Sequence, residues 1–420
     1  MGYNVITSKG EKIVLEDTPF SKGGEGEVRK IISAPSAYAN CCVKIYYKHK
    51  RTQEQANKIR FMVNNPPAQI KGNGFMIGWA IETIHHLNKE FIGFIMPLAF
   101  SGSEQLVNLT ATNLNTKRLG MVWHKYSRDN GKYALVSRLK LMNNIAIPIH
   151  LLHATGKYVL KDFKPQNVLV THSGQVTVCD MDSIQITNGQ RVLFHATAAT
   201  KEYIPPEFYN QGVGISVTTP LEKSWDNFAL SVVFYQLLFG LHPYMVTPKH
   251  QRNPDSLEIS ENISDDLFPF GNNSHKIANV PKFHNKFNIL PQKIQELFKR
   301  SFSIIPSQRP DAEEWGKNIH EIIKSAGDDP APPMPTPKPA PSPQYPQPIP
   351  RPPEPIPTPP NTKTTEKLSG GMWLIIILVP IIGFIAMFVY FIQAKKKKAR
   401  SAIIAALIGV LILQTIIACS

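Results

Sequence analysis

Cysteine is scarce in this chain, with four in 420 residues. Cys41, Cys42, Cys179 and Cys419 make no C-x-x-C pair and no zinc spacing. Cys41 and Cys42 sit side by side in an apolar run and would alternate faces of a strand, which argues against a disulfide between them and fits a reducing compartment. Acidic residues are also in short supply, 31 against 46 Lys and Arg, leaving a net charge of +15. That balance suits acidic partners such as nucleotides, anionic lipid or nucleic acid, and charge alone does not choose among them. The opening "MGYNVITSKG" lacks a charged region followed by an apolar stretch, so no signal peptide is expected. Ile6 stands where a myristoylation pattern on Gly2 needs Ser or Thr. No internal repeat is evident.

What is present divides into three regions. Residues 1 to about 325 mix apolar periodicity, turn signals and charge in globular proportions. "EDTPF", "SKGGEGEV" and "NCCVKIYY" read as successive short strands, with glycines at the turn between the last two. From about 136, "VSRLKLMNNIAIPIHLLHATG" places apolar residues three and four apart and stops at Gly156, which predicts a helix. Strands early and helices late predict an α+β fold: a small sheet-rich part followed by a larger helical one.

Residues 330–360 hold 17 of the 36 prolines. Proline without glycine favours polyproline II at about 3.1 Å per residue, so the stretch reaches roughly 100 Å. A semi-rigid spacer is the plain reading; a docking strip for proline-binding modules is the alternative. Residues 372–392, "MWLIIILVPIIGFIAMFVYFI", carry no charge and meet the length of about 20 residues that a bilayer needs. Trp373 and Tyr390 lie near the ends, where interface anchors tend to sit. A second apolar segment spans 402–418, after the basic "AKKKKARS". Such a basic loop prefers the cytoplasm, and Pro380 and Gly383 offer a point at which the first segment could turn back, so the path of this hairpin stays open.

Several short stretches carry chemistry. "FSKGGEGEV", aligned on Val28, offers Ser21, Gly23, Gly24 and Gly26 as a loop whose backbone N–H groups approach phosphates. A glycine-rich hairpin turn produces the same pattern. Lys44 lies 16 residues beyond Val28, in an apolar run where an unpaired charge is costly to bury; an edge-strand lysine reaching solvent is the alternative. The most specific stretch is "YVLKDFKPQNVLV". Asp162 can accept a hydroxyl proton, Lys164 can neutralise a transferred phosphate, and Asn167 can ligate a metal. Apolar flanks hold this polar loop between short strands. Thirteen residues after Asn167, Asp180 ends the apolar run "VTVCD" as a second metal ligand. Downstream, "YIPPEF" supplies Glu207, "SWDNFALSVVFYQLLFGLHPY" opens a buried helix with Asp226, and "SQRP" supplies Arg309 as a partner for Glu207.

With these residues in place, the chain resembles the protein kinase superfamily over residues 1 to about 325. "GGEGEV", "VKIYY", "NNPP", "IGWAI", "FIGFIMPLA", "DMDSIQI", "PPEFY" and "LHPY" resemble a bacterial group of Ser/Thr-type kinases in which Asp-x-Asp-Ser replaces Asp-Phe-Gly. The resemblance implies a bilobal fold, with lobes at about 1–97 and 98–325, ATP between them and the hinge just after Met96. It implies two magnesium sites and transfer of the γ-phosphate to a Ser or Thr hydroxyl of a protein, with no nucleic-acid partner. It also implies that Lys44 meets the α- and β-phosphates and a helix glutamate, for which Glu54 is the only acid in "RTQEQANKIRFMV".

Departures accompany the match. Leu160 and Lys161 replace a His-Arg pair, Ser21 replaces one loop glycine, and Asp182 stands in place of the glycine of Asp-Phe-Gly. The expected function is a membrane-tethered Ser/Thr kinase with its domain in the cytoplasm, joined through a linker at 326–369 to membrane segments at 372–392 and 402–418, on a bacterial inner membrane. A scaffold that binds nucleotide or protein partners without turnover is the competing reading, and a small-molecule phosphotransferase a third.

Overall fold

The computed structural model describes residues 2–128, 131–196, 198–209, 219–250 and 258–327. The chain divides into two units, Met1–Gln347 and Pro348–Ser420, and every described residue belongs to the first. The proline-rich stretch at 330–360 and the apolar segments at 372–392 and 402–418 lie outside the described residues. Among the described residues no helix is long and apolar enough to cross a membrane.

Seven of the first nine strands form one sheet. The nine are β1 (Tyr3–Thr7), β2 (Lys12–Leu15), β3 (Ser21–Lys22), β4 (Gly26–Ser33), β5 (Cys41–Tyr46), β6 (Lys71–Gly72), β7 (Phe75–Ile77), β8 (Glu82–His85) and β9 (Phe91–Pro97). The sheet runs β2-β1-β8-β9-β5-β4-β3, antiparallel throughout, and β2 also pairs with β4, so the sheet curls on itself. Alternation along the strands sends Val5, Ile13, Val43, Ile45, Ile84 and Ile95 into the space it encloses. Two glycines permit close strand approach. A Cβ on Gly26 would stand 2.2 Å from the Ile45 carbonyl oxygen, and one on Gly93 would stand 2.0 Å from that of Lys44.

The expected strand at "EDTPF" is absent: Glu16 to Phe20 form a bend after β2. Pro19 has no N–H to give a ladder, and residues such as Asp17 and Thr18 favour turns. The other two expected strands appear, as β3–β4 and β5, and Cys42 is buried while Cys41 is partly exposed, both as free thiols.

A second sheet, β10 (Glu104–Gln105), β12 (Val168–Val170), β13 (Val176–Val178), β7 and β6, joins distant parts of the chain. Its parallel pair sets Val176 against Phe75 and Val178 against Ile77. In a third sheet β11 (Tyr158–Val159), which precedes β12, pairs with β14 (Gln185–Asn188), which follows β13 and pairs with β15 (Arg191–Phe194).

Among the described residues the helices of ten residues or more are α1 (Gln53–Asn64), α2 (Gly131–His153), α3 (Ser224–Phe239), α4 (Gln292–Ser301) and α5 (Ala312–Ser325). Thr52 caps α1 by accepting from the Gln55 N–H at 3.1 Å. The helix expected from 136 to 156 runs from Gly131 to His153, and Pro148 lies inside it. Wholly buried Ile145, Ile149 and Leu152 around Pro148 offset the hydrogen bond it cannot make. In α3, 14 of 16 residues are buried, as a helix apolar on all sides requires. Trp315 of α5 packs edge-on against Phe234 of α3 and donates its indole N–H to Ser231 Oγ at 3.2 Å.

Candidate active site

The polar loop between β11 and β12 is held from below by the first turn of α3. Asp226, fully buried, accepts from the N–H of Leu160 at 2.7 Å and of Lys161 at 3.0 Å, and lies 2.8 Å from His153 Nε2. Trp225 Nε1 donates to the Lys161 carbonyl at 2.9 Å. Lys161 takes a left-handed backbone with φ +63°, a strain these bonds hold in place. Its side chain is buried.

This support leaves Asp162 facing two donors. Lys164 Nζ lies 2.7 Å from Asp162 Oδ2, and the Thr200 hydroxyl donates to Asp162 Oδ1 at 2.6 Å. Lys164 also donates to Thr200 Oγ1 at 2.8 Å, closing a three-membered network. Asn167 Nδ2 donates to the Asp162 carbonyl at 2.9 Å, which leaves its Oδ1 outside that bond.

Asn167 and Asp180 meet because the residues between them fold into a hairpin. Strands β12 and β13 pair Val168 with Val178, and the Cys179 N–H donates to the Asn167 carbonyl at 2.8 Å. The chain then turns at Asp180, whose φ is +60°, into a short 3₁₀ turn at Met181–Ser183. Ser183 Oγ closes that turn on the Asp180 carbonyl at 2.8 Å, and buried Met181 packs into the main core.

Lys44 crosses from β5 to this turn. Its Nζ lies 2.8 Å from Asp180 Oδ1, 2.7 and 2.8 Å from the two Asp182 oxygens, and 3.9 Å from Glu25 Oε2. The Tyr46 hydroxyl donates to Asp182 Oδ2 at 2.5 Å and accepts from Gln55 Nε2 at 2.7 Å. Burial disfavours the Lys44 ammonium, yet Asp182 and Asp180 together hold its pKa above the ordinary value. Burial pushes the Asp180 carboxyl up, and Lys44 offsets this only in part. At Asp182 burial acts in the same direction, but Lys44 and Tyr46 outweigh it and hold the carboxyl below the usual range.

The expected pairing of Lys44 with Glu54 does not occur. Glu54 is exposed in the first turn of α1, and the partners of Lys44 come from the turn after β13 and the glycine loop. The buried face of α1 instead presents Lys58, whose Nζ donates to the His195 carbonyl at 3.0 Å. Burial lowers the Lys58 pKa to about 8.

A cleft of about 400 Å³ opens over this arrangement. Its roof is the β3–β4 hairpin, where Ser21 faces Val28 and the Gly23 N–H bonds the Gly26 carbonyl at 2.9 Å. No atom lies within 4 Å of where a Gly24 Cβ would stand, so this turn is open to a ligand. Met96 and the segment after it form one wall, and Lys44, Lys164, Asn167 and Asp180 line the floor. The size suits a drug-sized or nucleotide-sized ligand. Glu25, Asp180 and Asp182 each bring a carboxylate oxygen within 4.8 Å of the others. Asp182 is taken up by Lys44 and Tyr46, so the hard oxygens left to fit a divalent cation on this side of the cleft are those of Asp180, with Asn167 Oδ1 beside the same cleft. Asp180 carries the accessible share: its side chain is 35% exposed, against 0% for Asp182.

Away from the cleft, Arg309 makes a two-pronged pair with Glu207 at 2.7 and 2.6 Å. Thr200, Tyr46, Gln55 and Glu25 were not singled out by sequence reasoning. Tyr46 had a signal, because residues two apart on a strand share a face and Lys44 sits two before it; Thr200 had none.

A family model described as "Protein kinase domain" matches residues 98–319, more than half of the chain. Among curated proteins, the chain is 25% identical over 159 residues to "Probable serine/threonine-protein kinase gdt4" of Dictyostelium discoideum, covering 37% of this chain and 9% of that protein. It is 26% identical over 152 residues to "Serine/threonine protein kinase ypkA" of Aspergillus fumigatus, covering 36% and 22%. It is 27% identical over 137 residues to "Serine/threonine-protein kinase 16" of Mus musculus, covering 30% and 43%. The chain thus spans less than half the length of each of these relatives. The matched region holds the Asp162 loop, the β12–β13 hairpin and the Glu207–Arg309 pair, and on that match the chain belongs to the protein kinase family.

Proposed function

We propose that the chain is an ATP-dependent serine/threonine protein kinase of two lobes, one built on the seven-stranded sheet and one on the helices after residue 98, with Asp162 as the proton acceptor. The observation that carries this reading is the Thr200 hydroxyl on Asp162 at 2.6 Å with Lys164 beside both. An aliphatic hydroxyl donating to this carboxylate has the geometry that a Ser or Thr acceptor needs.

In the proposed reaction, the acceptor oxygen bonds to the γ-phosphorus as the bond from that phosphorus to the bridging oxygen of ADP breaks. Its proton passes to Asp162, which must lie within hydrogen-bond reach of it. Lys164 offsets charge on the transferring group, and Lys44 meets the α- and β-phosphates under the glycine hairpin of Ser21, Gly23, Gly24 and Gly26. Asp180 and Asn167 Oδ1 would hold magnesium, which when bound neutralises charge on the phosphates. Adenine would lie against Val28 and the segment after Met96. Glu207, Asp226 and Arg309 keep the loops in place.

The membrane tether rests on the charge-free length of 372–392 and on 402–418. We place the kinase domain in the cytoplasm, where ATP is, beside a bacterial inner membrane, with 326–369 as the linker. A proline-binding module on 330–360 is a further proposed partner; the protein substrate is a Ser- or Thr-containing surface. The test is incubation of the full chain with Mg-ATP and a generic protein acceptor, beside Asp162→Asn. Incorporation on Ser or Thr that the substitution abolishes supports the reading; equal signal from both proteins overturns it in favour of a scaffold without turnover.

A further inference from the structure

We propose that Asp182 is the positioning residue for Lys44, taking the part that a helix glutamate plays in other protein kinases, so that the lysine is oriented by the Asp-Met-Asp turn and strand β5 and not by helix α1. This rests on the kinase reading above and adds to it the group that fixes the nucleotide-binding lysine.

The division of labour between the two aspartates is geometric. Asp180 touches Lys44 through Oδ1 alone, at 2.8 Å, and remains partly open to the cleft. Asp182 offers no open face. Its oxygens lie 2.7 and 2.8 Å from Lys44 Nζ, and Oδ2 also accepts from the Tyr46 hydroxyl. A carboxylate with both oxygens engaged and no exposed surface is arranged to hold a cation in one direction.

The groups that hold Asp182 come from an interior strand. Lys44 and Tyr46 are two apart on β5, so both point to the same face. Strand β5 lies between β4 and β9, paired on both edges, with Val28 opposite Lys44 on one side and Phe94 on the other. Among the described residues, the hydrogen bond by which helix α1 reaches this network comes from Gln55, one step further out on Tyr46, while its buried Lys58 acts on Asp182 through space by charge alone. The acid of α1, Glu54, is exposed, and the buried group it does present, Lys58, is a cation bonded to the His195 carbonyl. A shift of α1 would therefore break the Gln55–Tyr46 bond and leave Lys44 seated on Asp182.

The experiment compares the full chain with Asp182→Asn, Tyr46→Phe, Glu54→Gln, Lys44→Met and the double variant Lys44→Met/Asp182→Asn. Affinity for magnesium with the β,γ-imido analogue of ATP is read by calorimetry, and steady-state phosphate transfer is read beside it. Asp182→Asn is expected to weaken nucleotide affinity at least about ten-fold, raising KM for ATP and lowering kcat while KM for the protein acceptor stays put. Tyr46→Phe should lose a few-fold, and Glu54→Gln nothing. Because Asp182 acts through Lys44, the double variant should bind no worse than Lys44→Met alone. Losses that multiply in the double variant, or a Glu54→Gln loss equal to that of Asp182→Asn, would overturn the assignment. If Asp182→Asn does not fold, Tyr46→Phe decides: unchanged affinity overturns it. Binding needs no turnover, so this pattern without phosphate transfer would sink the kinase reading and uphold the role of Asp182. Transfer unaffected by Asp182→Asn would do the reverse, and a chain that binds no nucleotide overturns both.

Discussion

Asp226 holds Lys161 in a left-handed backbone conformation: its Oδ1 accepts the Lys161 N–H at 3.0 Å while φ there is +63°. The same carboxylate takes the Leu160 N–H and His153 Nε2, so one buried side chain fixes the residue before Asp162 and the end of α2. Asp226→Ala would orphan three buried polar groups. The expected loss is about 3 kcal/mol or more in denaturant unfolding, with phosphate transfer falling by about 100-fold as the loop relaxes. Asp226→Asn, which keeps one acceptor oxygen, should lose less on both measures.

Thr200 ties the segment after β15 to Asp162, the proposed proton acceptor. Its hydroxyl donates to Asp162 and accepts from Lys164, so Thr200→Val removes two bonds to charged groups and leaves the volume nearly unchanged. A bond of that kind contributes about 1.5–3 kcal/mol, which corresponds to a fall in kcat/KM of about ten-fold or more. Thr200→Ser keeps the hydroxyl and should retain most of the activity. Steady-state kinetics with a fixed acceptor checks both, and equal loss in the two variants would show that the methyl group and not the hydroxyl matters.

The Asp162 loop was legible because its parts are local. Asp162, Lys164 and Asn167 lie within six residues, and the step to Asp180 is one hairpin whose apolar strands the pattern displays. The buried helix behind Asp226 showed itself as a long apolar run, from Phe228 to Phe239, broken only by Ser231 and Gln236. Groups that meet across long separations left no such trace: Asp182 is 138 residues from Lys44, and Thr200 is 38 from Asp162. The parallel pairing of β13 with β7, which positions Asp180, joins segments 101 residues apart with nothing in either to name the other. Glu54 misled because an acid on a helix was sought, whereas the carboxylate that holds Lys44 comes from the turn after β13.

The Glu207–Arg309 pair locks the segment after Thr200 onto the foot of α3. The Arg309 side chain is wholly buried, and it donates to both Glu207 oxygens and to the Ser224 carbonyl. Arg309→Leu leaves the Glu207 carboxylate without its cation and should cost about 3–5 kcal/mol. Replacing both residues with leucine removes the stranded charge and should recover much of that loss. The midpoint of urea unfolding compares the three proteins, and a double variant no more stable than Arg309→Leu would show that the pair does more than cancel its own burial.

Lys58 predicts a pH dependence of stability whose sign is fixed by burial. Its folded pKa is lowered to about 8 from an ordinary 10.5, because the ammonium is desolvated. Between those values the unfolded chain binds the proton and the folded chain does not, so this group makes stability rise with pH across that window. Below about pH 8 the lysine is charged in both states, and the cost of burying the charge is fully present. Lys58→Met removes that cost along with one bond to the His195 carbonyl. Buried tyrosines and cysteines, which burial keeps protonated in the folded protein, ionise over this range in the unfolded chain, so the measurement is the difference in unfolding free energy between wild type and Lys58→Met at each pH. That difference should shift toward wild type as pH rises from about 8 to 10. A constant difference would mean that Lys58 keeps its proton in the folded protein.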